Sequence, residues 1–173
     1  SKGITVRNTP AASSASVAEL ALGHMFSMAR YIGIANVTMK NGEWNKKKYE
    51  GIELNGKTLG LIGMGRISQE LAKRAVALGM KVIYTDIFEI KGLPAEYVCM
   101  SRDEVLKNAD FVSLHIPMPA DKKPVITAAE LALLSKDCTL DAYSRNLTVV
   151  LTADIDLSGV DFAPIPVFCG DFN

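Results

Sequence analysis

Residues 60–72 read GLIGMGRISQELA, and the fold turns on how this stretch is read. An apolar run ends in a turn carrying Gly63 and Gly65, and a helical pattern starts directly behind it. The upstream run, KTLGLIG (57–63), is too short for a helix and ends in glycine, so it reads as a strand. Downstream, Ile67, Leu71, Ala72, Ala75, Val76 and Leu78 recur at helical spacing, and Gly79 is placed to stop the helix. Strand, glycine turn and helix together suit a diphosphate. The first glycine lets the chain turn sharply, and the second lets a phosphate approach the backbone. The helix N-terminus then offers free N–H groups and a partial positive charge. A third glycine or alanine usually completes the pattern, and here Ser68 takes its place. That position concerns packing of helix on strand, so serine is expected to loosen it by about 1 kcal/mol or less.

The next apolar run, KVIYTD (81–86), reads as a second strand ending in Asp86, twenty-one residues past Gly65. An acid at that distance is suited to hold both ribose hydroxyls of an adenosine, and it repels a 2′-phosphate. Ile87 and Phe88 follow it, with no arginine. The expected cofactor is therefore NAD rather than NADP. Further on, DFVSLHI (110–116) reads as a strand, and CTLDAYS (138–144) and TVVLTA (148–153) as possible ones. Capping boxes are expected at Ser16 with Glu19, Ser101 with Glu104 and Thr127 with Glu130. Strands alternating with helices predict an α/β fold with a parallel sheet.

Upstream, GITVRN (3–8) resembles a short strand. Residues 12–40 then predict one long helix with a broad apolar face of Val17, Leu20, Ala21, His24, Met25, Met28 and Ile32, on which His24 is expected to be packed. Residues 41–56, polar and bounded by Asn-Gly pairs, read as a loop. Composition narrows the function classes. The 173 residues are 49% hydrophobic, with 19 basic and 19 acidic side chains, so a folded chain with no general attraction to nucleic acid is expected. The lysines beside Trp44 (Lys46, Lys47, Lys48) read as a solvated loop. No apolar stretch reaches the length of a membrane span, and SKGITVRNTP lacks the pattern of a secretion signal. Three cysteines with neither CxxC spacing nor an even count suit a reducing, cytoplasmic setting. No metal site is expected from two histidines and these cysteines.

Three stretches carry a family resemblance: NTPAASSASVAELALGHMFSMAR (8–30), GEWNKKKYEGIELNGKTLGLIGMGRI (42–67) and SLHIPM (113–118). They resemble the D-2-hydroxyacid dehydrogenases, over about residues 2–138. The resemblance implies a Rossmann-type doubly wound parallel sheet with helices on both faces. It implies one NAD-binding domain over 1–173: a hinge strand, long helix and loop to residue 50, a core over 51–145 and an atypical tail over 146–173. It implies NAD contacts at Gly63, Gly65, Arg66, Ile67, Asp86, Ile116 and Tyr143. LDAYSRNL (140–147) matches the family motif whose arginine holds the substrate carboxylate, which implies a catalytic role for Arg145; Asn146 and Leu147 depart from its two glycines. In PIPVFCGD (164–171), Pro166 stands where the family has an aspartate at the nicotinamide ribose. The implied substrate is a small 2-hydroxy or 2-keto acid, with D-3-phosphoglycerate as the expected one. The implied partner is a second copy, paired through the long N-terminal helix. The family's acid/base histidine and glutamate have no match in these 173 residues, and neither His24 nor His115 matches them, so no turnover by this chain alone is expected. Two other readings stay open: a dinucleotide-binding or dimerisation module without turnover, and a Rossmann domain for S-adenosylmethionine or flavin.

Overall fold

The computed structural model describes residues 9, 12–117, 125–134 and 148–150. Five strands form one sheet: β1 (Thr58–Ile62), β2 (Lys81–Thr85), β3 (Val98–Cys99), β4 (Phe111–Leu114) and β5 (Thr148–Val150). Their order across the sheet is β3-β2-β1-β4-β5, and every neighbouring pair is parallel. The helices are α1 (Ser14–Ala29), α2 (Ile32–Lys40), α3 (Arg66–Ala77), α4 (Arg102–Asn108) and α5 (Ala128–Leu131). The expected strands at 57–63, 81–86 and 110–116 all form, and TVVLTA supplies β5. GITVRN and CTLDAYS lie outside the described residues.

Side chains alternate along β1, β2 and β4, and the two sets enter two separate cores. Leu59 and Leu61 of β1, Val82 and Tyr84 of β2 and Phe111 of β4 pack with Ala18, Ala21 and Met25 of α1 and Leu71, Ala72 and Ala75 of α3. Ile62, Ile83, Val112 and Leu114 pack on the other face with Val105 and Leu106 of α4, joined by Ile126 and Leu134. The sheet is therefore covered on both faces, as expected of a doubly wound fold. Gly60 lets α4 come close, because a Cβ there would lie 2.7 Å from the Ala109 Cβ and 2.8 Å from Val105 Cγ1.

The long N-terminal helix is two helices. α1 ends at Ala29 and α2 begins at Ile32, with Tyr31 between them at φ 57. A continuous helix would give the Ala29 carbonyl to the N–H four residues on. Here the Ile52 N–H takes it at 2.8 Å. Gly51, at φ +66, brings that loop close enough that a Cβ would sit 2.2 Å from the same oxygen. The Tyr31 ring meets Tyr49 at 5.7 Å between centroids, which helps hold the left-handed residue. The loop itself carries a short 3-10 turn, Lys46–Tyr49.

The buried stripe of α1 is Ser14, Ala18, Ala21, Met25 and Ala29, about one residue round from the expected face. Leu20 is 61% exposed and His24 is exposed too, so His24 is not a packed core residue. Small side chains face inward because α1 lies against the alanines of α3. Ser16 is inside the helix and caps nothing, since α1 starts after Ser13. Its expected partner Glu19 pairs instead with Arg74 of α3 at 3.3 Å. The other two pairs are in contact. Ser101 and Glu104 bond reciprocally ahead of α4. Ahead of α5 the Thr127 N–H and hydroxyl both donate to the Glu130 carboxylate, but the N–H that Thr127 Oγ1 accepts, at 3.2 Å, is that of Ala129.

Candidate dinucleotide site

The turn between β1 and α3 lies at the C-terminal end of the central strand, with β2 on one side and β4 on the other. Gly63 has φ +86, a conformation that favours glycine. Its N–H continues the ladder to the Thr85 carbonyl at 2.9 Å. A Cβ on Gly63 would lie 2.6 Å from Ile116 Cγ2 and 2.8 Å from the His115 carbonyl oxygen. The first glycine is thus required twice, by backbone shape and by the His-Ile-Pro segment packed on it. Gly65 differs. Its φ of −74 suits any residue, it is exposed, and a Cβ there would meet no atom within 4 Å. The space over the second glycine is open.

Gly65 is also the N-cap of α3, and it has no side chain with which to cap. The backbone N–H groups of Gly65, Arg66 and Ile67 find no acceptor among the described residues. The first turn of α3 holds no acidic residue. α4 is the contrast within the same molecule: its first turn holds Asp103 and Glu104, and the Ser101–Glu104 box satisfies its end. Of these two helix ends, α3 is the one left open and positive.

Asp86 stands beside the turn at the end of β2. Its Oδ2 accepts the Met64 N–H at 2.6 Å, and its Oδ1 accepts the Phe88 N–H at 2.9 Å. Each carboxylate oxygen keeps a further lone pair for a hydroxyl. Arg66 is exposed at the first position of α3, and Ile67 is half-buried. Ile116 is half-buried against Gly63. Tyr143 and Arg145 lie outside the described residues.

His115 is held by its neighbours: its N–H donates to the Ile62 carbonyl at 2.9 Å, and its Nε2 lies 2.8 Å from the fully buried Ser113 Oγ. Burial pushes the imidazole down to about 4, so near neutral pH it carries no charge. No group of three metal-ligating side chains gathers among the described residues. None of their helices is long and apolar enough to cross a membrane.

Three contacts here have no simple signature in the sequence. Ser68 is fully buried, and its hydroxyl donates to the Gly63 carbonyl at 2.6 Å. The serine is expected from the sequence to loosen the packing of helix on strand; in the fold its hydroxyl has a defined partner. Gln69 Nε2 donates to the Met64 carbonyl at 3.1 Å. The third is the bond from the Met64 amide to Asp86. Only the folded backbone shows which carbonyl the serine reaches.

A glycine turn opening a helix, on the central strand of a parallel doubly wound sheet and flanked by a carboxylate at the end of the next strand, defines a dinucleotide-binding Rossmann domain. The family model "D-isomer specific 2-hydroxyacid dehydrogenase, NAD binding domain" matches residues 22–153. The chain belongs to that family, whose cofactor is NAD. A hydroxypyruvate reductase of Thermotoga maritima is 46% identical over 149 residues, covering 86% of this chain and 48% of the relative. A D-3-phosphoglycerate dehydrogenase of Methanocaldococcus jannaschii is 43% identical over 147 residues, covering 83% of this chain and 28% of the relative. The chain thus spans half or less of these relatives. The solved D-lactate dehydrogenase with NAD+ from Lactobacillus jensenii superposes with a TM-score of 0.67 at 31% identity, covering 76% of this chain and 40% of that one.

Proposed function

We propose that this chain serves as the NAD-holding half of an oxidoreductase acting on the CH–OH group of a 2-hydroxy acid, D-3-phosphoglycerate being the nearest candidate. The observation that carries the cofactor half is the open N-terminus of α3 over Gly65, with Asp86 beside it. The diphosphate would lie on the N–H groups of Gly65, Arg66 and Ile67, with Gly63 forming the turn beneath. The adenosine ribose would share its hydroxyls with the free lone pairs of Asp86, and Ile116 would border the same pocket from the β4 side. NAD, when bound, supplies the hydride acceptor. Tyr143 and Arg145 belong to this reading through their motif, Arg145 as the group that pairs with the substrate carboxylate. A neutral, enclosed His115 is a poor proton donor at working pH, so the acid/base group for the carbonyl oxygen must come from elsewhere.

The same reading takes the chain as one domain, working in the cytoplasm and paired with a second copy. The outward face of α1 and α2 suits such pairing, since Leu20, Ile32, Val37 and Met39 are all more than half exposed. The decisive experiment is titration of the purified chain with NADH and NADPH, followed by nicotinamide fluorescence. NADH binding that is at least tenfold tighter than NADPH binding is expected. Equal affinity would remove Asp86 from the role given to it, and binding of neither would leave the chain a member of the family by fold without its cofactor site.

A further inference from the structure

The hydroxyl of Ser68 is not used by the function proposed above. Yet it is fully buried and directed at the backbone of the glycine turn. Its acceptor, the Gly63 carbonyl, and the Met64 N–H are the two ends of one peptide group. Ser68 holds the first end at 2.6 Å and Asp86 holds the second at 2.6 Å. The next peptide is held too, because Gln69 Nε2 reaches the Met64 carbonyl at 3.1 Å. A trans peptide is planar with its C=O and N–H opposed. Fixing the oxygens of Gly63 and Met64 therefore fixes the directions of the Met64 and Gly65 N–H groups. Gly63 needs such fixing, because a residue without Cβ at φ +86 resists rotation of the adjoining peptide only weakly.

We propose that Ser68 is a positioning residue for the dinucleotide: by holding the Gly63–Met64 peptide it keeps the Met64 N–H on Asp86 and so sets the carboxylate that meets the ribose, while Gln69 holds the next peptide, which carries the Gly65 N–H. The inference rests on the NAD reading and adds to it a residue that sets affinity on the adenosine side of the ligand, through Asp86.

The test compares the wild-type chain with Ser68→Ala and Ser68→Gly, the second removing the hydroxyl without leaving bulk. Dissociation constants are measured for NADH by fluorescence, and by NMR titration for adenosine, which has the ribose and no phosphate, and for inorganic pyrophosphate, which has no ribose. Both variants are expected to weaken NADH and adenosine by about tenfold, the scale of one lost hydrogen bond, and to change pyrophosphate by less than about twofold. A structural role alone would lower all three affinities together or none. Amide hydrogen exchange on the unliganded chain gives a second readout: Met64 is expected to exchange about tenfold faster in Ser68→Ala, with Leu61 and Val82 unchanged. Unaltered NADH affinity in the variants, equal loss for adenosine and pyrophosphate, or unchanged Met64 exchange overturns the role of Ser68 while leaving NAD binding in place. A wild-type chain that binds no NADH sinks the NAD reading, and this inference with it.

Discussion

The two glycines of the turn are expected to fail in different ways when each is replaced by alanine. Gly63→Ala places a Cβ 2.6 Å from Ile116 Cγ2 and 2.8 Å from the His115 carbonyl oxygen, at φ +86. The left-handed backbone costs roughly 1–2 kcal/mol for a residue with a side chain. The contact with a backbone carbonyl, which cannot swing away, adds about 1–3 kcal/mol. A total of about 2–5 kcal/mol is a large part of the roughly 5–15 kcal/mol that holds a domain folded. At roughly 2–4 °C per kcal/mol for a domain of this size, the melting temperature should fall by about 4–20 °C. Gly65→Ala meets nothing within 4 Å and keeps an ordinary φ of −74. A poorer N-cap and a less flexible unfolded chain roughly offset each other, leaving stability within about 1 kcal/mol of wild type. Its Cβ would instead occupy the space proposed for the diphosphate, so NADH affinity should fall by at least about tenfold. Thermal melts followed by circular dichroism, with NADH titration of each variant, measure both effects. If Gly65→Ala proved as unstable as Gly63→Ala, or bound NADH as wild type does, the division of labour between the glycines would be wrong.

Three further outcomes follow from the same geometry. Asp86→Asn keeps an oxygen for the Met64 N–H but removes the charge, so the preference for NADH over NADPH should shrink by roughly tenfold; an unchanged ratio of dissociation constants would acquit the carboxylate. His115 stays neutral down to about pH 4 in the folded chain, whereas an unfolded histidine takes a proton near 6.5. The unfolded state therefore binds more protons between those values, and stability should fall by about 1–3 kcal/mol as pH drops from 6.5 to 4. His115→Gln should flatten that slope in urea melts across the window, and an identical slope would assign it to other groups. Ser101→Ala removes the cap of α4 and should lower the melting temperature by roughly 2–4 °C; because that helix end is remote in role from α3, NADH affinity should not change.

The features legible in the chain are those written locally. A strand, a glycine turn and a helix need only a short window of residues, because a period of two or 3.6 and a positive φ are properties of neighbours. Gly63, Gly65 and Asp86 could be named for that reason, and the Ser101–Glu104 box could too, since its partners sit three residues apart. What the sequence determined by itself was thus the order of elements, the turn and the acid beside it. The tertiary structure decided what depends on residues far apart. The break at Tyr31 exists because Ile52 takes the carbonyl of Ala29. The inner face of α1 falls on Ala18, Ala21 and Ala29, with Leu20 and His24 turned outward, because packing against Ala72 and Ala75 favours small side chains over apolar large ones. Glu19 caps nothing because α1 starts after Ser13, and its carboxylate meets Arg74 of α3 instead. Ser68 gains its role only once the strand, the helix and the Gly63 carbonyl are in place. Periodicity reports which residues share a helical face, but the neighbour that packs against that face, and the backbone group that a hydroxyl can reach, exist only in three dimensions.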